Sequence, residues 1–302
     1  MGKTIVPLSV EEALLMDEIT VQCVYGNTHL RHVEECLIPA LGQSTSRPIR
    51  LLTMNDNPFS VEKVASGVRY GLEVIDVDNT AESSKGFAAN HNALFTLGYS
   101  DHHFVILNPD CIPHRNCIDH LIERKLITPR AGIVEGRQWP QEHPKEYDPL
   151  SLHTPWASGA FALIDSGFYR AIGGMDEIYF LYMEDVDMSW QAWLNGYSVL
   201  YEPSAAITHF SGGLFYRDDI VSAEQYLSLR NFLILLRKFF GEPGEIKALS
   251  MLNSHPDKDL CTAAINDYYN NYKTLVKPIA TTVSHKNIKV LGVALFHRLR
   301  NL

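Results

Sequence analysis

The segment from Ser158 to His209 constrains the fold of this 302-residue chain more than any other part. Its landmarks are a Gly173-Gly174 turn, an aromatic run, a Glu184-Asp185 pair and an apolar stretch that ends at His209. Residues typical of a buried helix face recur at helical spacing after the acidic pair: Val186, Ser189, Trp190, Trp193 and Leu194. The pair therefore opens the predicted helix, where the helix dipole favours ionised carboxylates.

The first half of the chain alternates strand and helix signals. Strands are predicted at 19–25, 49–54, 72–77 and 104–107, and helices at 30–41 and 86–97. This alternation predicts an α/β fold with a mainly parallel sheet and helices on both faces. Ligands of such sheets bind beyond the carboxyl ends of the strands. Asp56 and Asp110 each follow a predicted strand, as that placement requires.

Strand signals nearly disappear after about residue 215. Helices are predicted at 223–240, 259–276 and 288–302, with a break at 241–244, where the sequence reads Gly-Glu-Pro-Gly. We therefore expect a catalytic domain over residues 1–215 and a helical C-terminal subdomain or extension over 216–302. The last helix would carry a basic, amphipathic stripe, so peripheral membrane contact and packing onto the catalytic domain are both open for it.

Composition excludes several classes of protein. The net charge of −9 argues against a nucleic-acid partner. Neither a dinucleotide-binding Gly-x-Gly-x-x-Gly nor a P-loop motif is present. The first 18 residues lack the apolar core of a signal peptide, and no stretch approaches the roughly 20 apolar residues of a membrane span. We therefore expect a cytoplasmic protein; nothing in the sequence indicates an oligomeric state.

Asp110 is the first candidate metal ligand. It follows a buried strand, and Pro109 fixes the backbone before it. Hard divalent cations prefer carboxylate ligands and commonly bridge them to a diphosphate. The alternative is a turn or helix-capping aspartate. His209, at the end of an apolar strand, is a second candidate, although a histidine in such a place is usually structural.

Two segments together resemble the family 2 glycosyltransferases with the GT-A fold. One is the run Val105-Ile106-Leu107-Asn108-Pro109-Asp110, and the other is Ser158 to His209. The resemblance is closest to the rhamnosyltransferase-like branch, which builds bacterial surface polysaccharides. It implies a GT-A fold and an inverting glycosyltransferase that moves a sugar from a UDP or dTDP donor to a glycan acceptor, with a lipid-linked glycan as the acceptor suggested by analogy.

The resemblance also implies roles for individual residues. Asp110 corresponds to the last acid of the family's metal-binding Asp-X-Asp motif, with Asn108 in place of the first, and the expected cofactor is Mg2+ or Mn2+. His209 stands where many GT-A enzymes have a histidine at the metal or the diphosphate. Asp185 corresponds to the catalytic base, and Glu184 to its hydrogen-bonding partner or an acceptor contact.

Donor and acceptor contacts follow from weaker motifs. The implied donor-binding residues are Tyr25, Asn27, Asp56, Lys85, Gly86, Asn108, Ser158 and Gly159. Asp56 would accept from the N3–H of uracil or thymine. Lys85 would offset diphosphate charge, but an exposed lysine beside a helix start is also ordinary. Asp176 and Glu177 are implied acceptor contacts, with a structural loop role as the alternative.

Two other functions fit the same acids and histidine. One is a metal-dependent hydrolase or nucleotidyltransferase on an α/β sheet. The other is a non-catalytic protein that binds a sugar nucleotide. Activity on phosphate esters without a sugar donor would indicate the first, and binding without turnover would indicate the second.

Overall fold

A computed structural model describes residues 18–57, 60–65, 67–99, 101–143, 146–210, 218–279 and 283–290. Eight strands form one sheet in the order β3-β2-β1-β4-β7-β6-β8-β5. They are β1 (Ile19–Tyr25), β2 (Ile49–Asn55), β3 (Glu73–Val77), β4 (His103–Leu107), β5 (Cys111–Pro113), β6 (Ala131–Trp139), β7 (Phe161–Asp165) and β8 (Ser198–His209).

Helices connect these strands and follow the last of them. The first, α1, runs through four consecutive parts: a 3-10 turn (Asn27–His29), α-helix (Leu30–His32), a π turn (Val33–Leu37) and α-helix (Ile38–Leu41). The others are α2 (Gly86–Thr96), α3 (Cys117–Ile127), α4 (Ser166–Ile172), α5 (Glu184–Leu194), α6 (Asp218–Asn253) and α7 (Lys258–Asp267). Short 3-10 helices lie at Gly67–Tyr70 and Glu177–Tyr179, and a π turn at Tyr268–Tyr272 extends α7.

The α/β prediction is confirmed, and the sheet is parallel only in part. β3, β2, β1 and β4 are parallel neighbours, as strands joined by crossover helices must be. β7 is antiparallel to both β4 and β6, β6 is parallel to β8, and β5 is antiparallel to β8. The second half is therefore mixed, which brings the ends of β4 and β8 close together through the short strand β5.

The apolar core divides between the faces of the sheet and the C-terminal helices. One cluster fills the face covered by α1 and α3, and another packs α2, α4 and α5 against the opposite face. A third cluster joins α5 to α6 and α7 through buried residues such as Val186, Trp190 and Phe232. The helix that carries Glu184 and Asp185 thus packs on the sheet with one side and on the C-terminal helices with another.

The C-terminal helices differ from their predicted limits. α6 is kinked where the break was predicted, because Gly241 has φ 62° and ψ −146°, and it resumes with Pro243 near the start of its second part. α7 ends earlier than predicted and passes into the π turn. Residues 288–290 are not helical, and the rest of the predicted last helix, 291–302, lies outside the described residues. Among the residues described, no helix is both long and apolar enough to cross a membrane.

Candidate active site

The structure brings the two predicted metal ligands together at the end of the sheet. Cys111, the residue after Asp110, pairs with His209 across the antiparallel β5–β8 ladder. The Asp110 backbone oxygen accepts from the Phe210 N–H at 3.1 Å. Asp110 Oδ1 lies 3.2 Å from His209 Nε2, and both side chains are mostly buried. Strand pairing therefore fixes the carboxylate and the imidazole on the same side of the sheet.

The other ring nitrogen of His209 is held by a residue that the sequence did not indicate. His209 Nδ1 lies 2.9 Å from Gln138 Oε1, and the Gln138 amide group donates to Glu135 Oε1 at 3.4 Å. With its NH2 group turned to Glu135, Gln138 presents its oxygen to the ring, which therefore carries its proton on Nδ1. Nε2 faces Asp110, and with a proton held on Nδ1 the neutral ring would offer this nitrogen to a metal.

Asp185 lies in the first turn of α5 beside the loop that follows Trp156. Its Oδ2 accepts from the Gly159 N–H at 3.1 Å, and its Oδ1 accepts from the Val186 N–H at 2.8 Å. The next residue of the loop, Ala160, accepts from the Asn108 N–H at 2.9 Å. The 158–160 loop therefore connects the turn that carries Asp110 with the helix start that carries Asp185.

Glu184 has a different environment from its neighbour. It is 5% exposed, and its Oε2 is buried without a hydrogen-bond partner among the described residues. Burial, with the nearby Asp185 charge as the next cause, raises the pKa of Glu184 well above its usual range. Glu184 therefore keeps its proton at neutral pH and is a poor base. Asp185, by contrast, is only partly buried and accepts from two N–H groups.

Asp187, the third acid of the helix start, belongs to an ion-pair network on another side of α5. Its carboxylate lies 2.6 Å from Lys238 Nζ of α6 and accepts from the Tyr179 hydroxyl at 2.8 Å. Lys238 also lies 2.7 Å from Asp176 Oδ2. Burial alone would lower the pKa of Lys238, but the two carboxylates outweigh it and raise that pKa. Of the two alternatives that helical phase allows for Asp187, solvent exposure and an ion pair, the structure contains the ion pair.

The predicted acceptor contacts, Asp176 and Glu177, lie at the 3-10 helix before α5. Besides its contact with Lys238, Asp176 caps this helix by accepting from the Ile178 N–H at 3.1 Å. Glu177 is exposed and accepts from Asn92 at 2.9 Å. Both line a polar cavity that Asp187 and Lys238 also line. Their contacts with the protein are structural, and their acceptor role stays a prediction.

The N-terminal donor residues occupy the ends of β1 and β2. The Tyr25 side chain is 1% exposed, and its hydroxyl donates to Asp76 at 2.9 Å. Tyr25 therefore fills the core, and only its backbone is placed to meet a ligand. Asn27 is exposed and accepts from Asn55 at 2.7 Å.

Asp56 accepts several hydrogen bonds from the chain leading into α2. The donors are the Ser84 hydroxyl, the Lys85 N–H at 3.2 Å and the Asn90 side-chain amide at 2.5 Å. Asp56 thus orders this segment, and a contact with the nucleotide base would use its remaining acceptor capacity. The base-binding role of Asp56 stays a prediction.

The remaining donor residues lie where α2 meets the loop around Gly159. Lys85 is exposed at the start of α2, and Gly86 has φ 80°. A Cβ on Gly86 would come within 2.0 Å of the Phe180 carbonyl oxygen, so only glycine fits there. Ser158 is buried and accepts from the Ala160 N–H at 3.3 Å, and a Cβ on Gly159 would lie 3.1 Å from Phe87.

Comparison with known proteins shows which sequences and folds this chain is similar to. No protein-family profile matches the chain. The N-acetylglucosaminyl-diphospho-decaprenol L-rhamnosyltransferase of Mycobacterium tuberculosis is 25% identical over 222 residues, which are 59% of this chain and 71% of the relative. This similarity supports the resemblance to the rhamnosyltransferase-like branch of the family 2 glycosyltransferases.

Two solved glycosyltransferase structures confirm the GT-A fold of this chain. The mannosyltransferase PcManGT from Pyrobaculum calidifontis, in complex with GDP-Man and Mn2+, has a TM-score of 0.50 at 14% identity, with 85% of this chain and 82% of that chain covered. GalNAc-T7 with UDP, GalNAc and Mn2+ has a TM-score of 0.53 at 12% identity, with 88% of this chain and 56% of that chain covered. At these identities the likeness concerns the fold alone.

Proposed function

We propose that this glycosyltransferase catalyses an inverting, metal-dependent sugar transfer in which Asp185 is the general base. One observation carries the proposal. The hydrogen bonds from Asn108 to Ala160 and from Gly159 to Asp185 join the Asp110–His209 pair to Asp185 through a single loop. A cation site and a base are thus built on the same framework, as a single displacement at a diphosphate-activated sugar requires.

The residues at the end of the sheet fit a divalent cation. Asp110 would supply a carboxylate oxygen and His209 its Nε2, which Gln138 directs toward Asp110 by accepting from Nδ1. The 3.2 Å between the two ligand atoms is close to the spacing of about 3 Å between adjacent ligands in an octahedron with 2.0–2.1 Å metal bonds. Mg2+ or Mn2+ held there would neutralise the charge that develops on the leaving diphosphate.

Asp185 would act on the acceptor side of the sugar. As the acceptor oxygen attacks the anomeric carbon, the bond to the diphosphate breaks, and the hydroxyl proton passes to the Asp185 carboxylate. The Gly159 and Val186 N–H groups orient this carboxylate. Glu184, neutral and buried, adds no second negative charge beside it. One displacement from the face opposite the leaving group inverts the configuration.

The substrates follow from the relative and from the predicted donor residues. The mycobacterial relative is named for transfer of L-rhamnose to a diphospho-decaprenol-linked N-acetylglucosamine. We infer a deoxyhexosyl or hexosyl donor with UDP or dTDP, and a glycan acceptor on a lipid diphosphate, for this chain. With such an acceptor, the protein would associate peripherally with a membrane surface. Asp56, Lys85 and Ser158 remain the proposed donor contacts.

We also propose that residues 1–215 form the catalytic domain and 216–302 its helical extension. The packing of α6 and α7 on α5 supports a close association between these parts. Loss of the extension would then impair the active site as well as the C-terminal helices.

A panel of UDP and dTDP sugars, tested by thermal shift and turnover with and without Mn2+, examines the proposal. Asp185→Asn keeps the shape of the side chain and removes its basicity, so turnover should fall about 100- to 10,000-fold with little change in donor binding. Asp259→Asn is the matched control, because Asp259 is an exposed first-turn acid of α7 remote from the site.

Three outcomes would contradict this assignment. Full activity of the wild type in excess chelator would exclude the metal, and near-normal turnover of Asp185→Asn would exclude the base. Cleavage of phosphate esters without a sugar donor would instead indicate a metal-dependent hydrolase.

A further inference from the structure

The turn that leads into α5 has a backbone conformation that residues with side chains rarely adopt. Phe180, Tyr182 and Met183 have φ values of 22°, 71° and 75°. Such conformations persist only where the surrounding structure holds them, and they concentrate at functional sites. The next two residues are Glu184 and Asp185. Whatever holds this turn therefore also places the proposed base.

Asn231 of α6 holds the turn directly. Its side chain is fully buried, at 0% exposure, and its amide nitrogen lies 2.8 Å from the Leu181 carbonyl oxygen and 2.7 Å from the Tyr182 carbonyl oxygen. Each of the two amide hydrogens thus reaches one of two successive carbonyls. Two hydrogen bonds from one planar group fix the orientation of both peptide units, which a single bond would not do.

The orientation of the Asn231 amide is itself fixed from the other side. Its Oδ1 accepts from Arg230 Nε at 3.0 Å. The Arg230 guanidinium lies 3.3 Å from Asp267 Oδ2 of α7 and 4.3 Å above the Tyr272 ring. With the oxygen committed to Arg230, the NH2 group must face the turn. The C-terminal helices therefore reach the turn through a defined chain of contacts.

The far side of the turn is held by α2. The Phe180 carbonyl oxygen accepts from the Phe87 N–H at 2.8 Å, next to Gly86, where a Cβ would not fit. Phe87 also packs beside Gly159, the residue whose N–H donates to Asp185. The turn is clamped between the start of α2 and Asn231, and Asp185 lies at its exit.

We propose that Asn231 is a positioning residue for Asp185: it holds the left-handed turn so that the carboxylate meets the Gly159 N–H in the orientation needed for proton abstraction. This rests on the proposed function, in which Asp185 is the base. Asn231 acts through the backbone of the turn, which it contacts at the Leu181 and Tyr182 carbonyl oxygens. The first part of α6 then contributes to the position of the base through Asn231.

Two substitutions in the full-length protein test the role. Asn231→Ala removes both hydrogen bonds, and Asn231→Asp keeps the shape but turns a carboxylate toward two carbonyl oxygens. Both should lower kcat about 10- to 100-fold with a nearly unchanged KM for the donor, because small displacements of a catalytic group have effects of that size. Asn231→Asp should lose at least as much as Asn231→Ala. Backbone amides of residues 180–187 should exchange at least about tenfold faster by mass spectrometry, in line with local opening.

A destabilised control separates positioning from a general loss of stability. Leu252 is fully buried in the second part of α6, beyond the kink at Gly241, so Leu252→Ala should lower the melting temperature without changing kcat or exchange at 180–187. Equal kcat losses in Leu252→Ala and Asn231→Ala at a temperature where both are folded would overturn the proposal, as would unchanged exchange in folded Asn231→Ala.

The hydrogen-exchange readout also needs no substrate. If the wild type transfers no sugar, the proposed function fails. Hydrogen exchange at 180–187 still tests whether Asn231 holds the turn.

Discussion

Replacing Gln138 by leucine should weaken cation binding at Asp110 and His209 while leaving the protein folded. In the wild type, Gln138 accepts the Nδ1 proton of His209 at 2.9 Å, and both side chains are buried. In Gln138→Leu without metal, the ring can change tautomer and donate from Nε2 to Asp110, 3.2 Å away. With metal on Nε2, the proton must return to Nδ1, which has lost the Gln138 acceptor.

The size of the effect follows from that difference between the two states. A buried donor left without a partner costs about 1–3 kcal/mol, and only the metal-bound form bears this cost. At about 1.4 kcal/mol for each factor of ten, the affinity for Mn2+ should fall about 5- to 150-fold. Losses of roughly 10- to 100-fold are typical when the partner of a metal-binding histidine is removed. Calorimetric titration with Mn2+, alone and with UDP or dTDP present, measures the affinity.

The chain contains a matched control for this substitution. Gln22 and His91 form a second buried pair, in which Gln22 Oε1 also lies 2.9 Å from Nδ1 of the ring. Burial lowers the pKa of His91 to about 3, so this ring is neutral. Gln22→Leu should leave Mn2+ affinity unchanged. Equal affinity losses in the two variants, or an unchanged affinity in folded Gln138→Leu, would refute the tautomer argument.

Three further predictions concern the acids around the site. Asp56→Ala should free Asn90 and weaken donor binding, with little change in kcat at saturating donor, because its contact would be the same in ground and transition states; donor titration and steady-state kinetics check this. Lys238→Met should destabilise the protein by about 3–5 kcal/mol in urea unfolding, since it leaves Asp187 buried without its cation, and adding Asp187→Asn should recover part of the loss. Glu184→Gln should raise the melting temperature at pH 7, because the wild-type carboxyl is neutral when folded and ionises on unfolding. The gain should shrink as the pH falls toward about 4.5, the ordinary pKa of the group, where the unfolded chain is protonated too.

Local patterns predicted the parts of the fold that depend on neighbours in sequence. β1 occupies the predicted residues, and α2 ends one residue before its predicted limit, because hydrophobic spacing and glycine punctuation are local signals. β5, β6 and α3 were missed. β5 has three residues, too few for a periodic pattern, and it exists because it pairs with β8.

The parts of the site that the sequence did not predict depend on pairing between distant segments. Gln138 contacts His209 because β6 runs parallel to β8, and Trp139 pairs with Thr208 in that ladder. Asn231 meets the turn because α6 packs on α5. Neither relation has a local signature. The sequence also did not predict the burial of Glu184, because a first-turn acid is ordinarily solvated and only tertiary packing removes it from water.

The three acids at the start of α5 acquire different roles because helical phase gives them different surroundings. Successive helical residues are about 100° apart, so Asp185 and Asp187 point to nearly opposite sides. Asp185 meets the Gly159 N–H on the side of the 158–160 loop, whereas Asp187 is neutralised by Lys238 on the side of α6. Glu184, between them in phase, is buried and protonated. One carboxylate is therefore placed for chemistry, one stabilises the packing of α6, and the third avoids charge repulsion by remaining neutral.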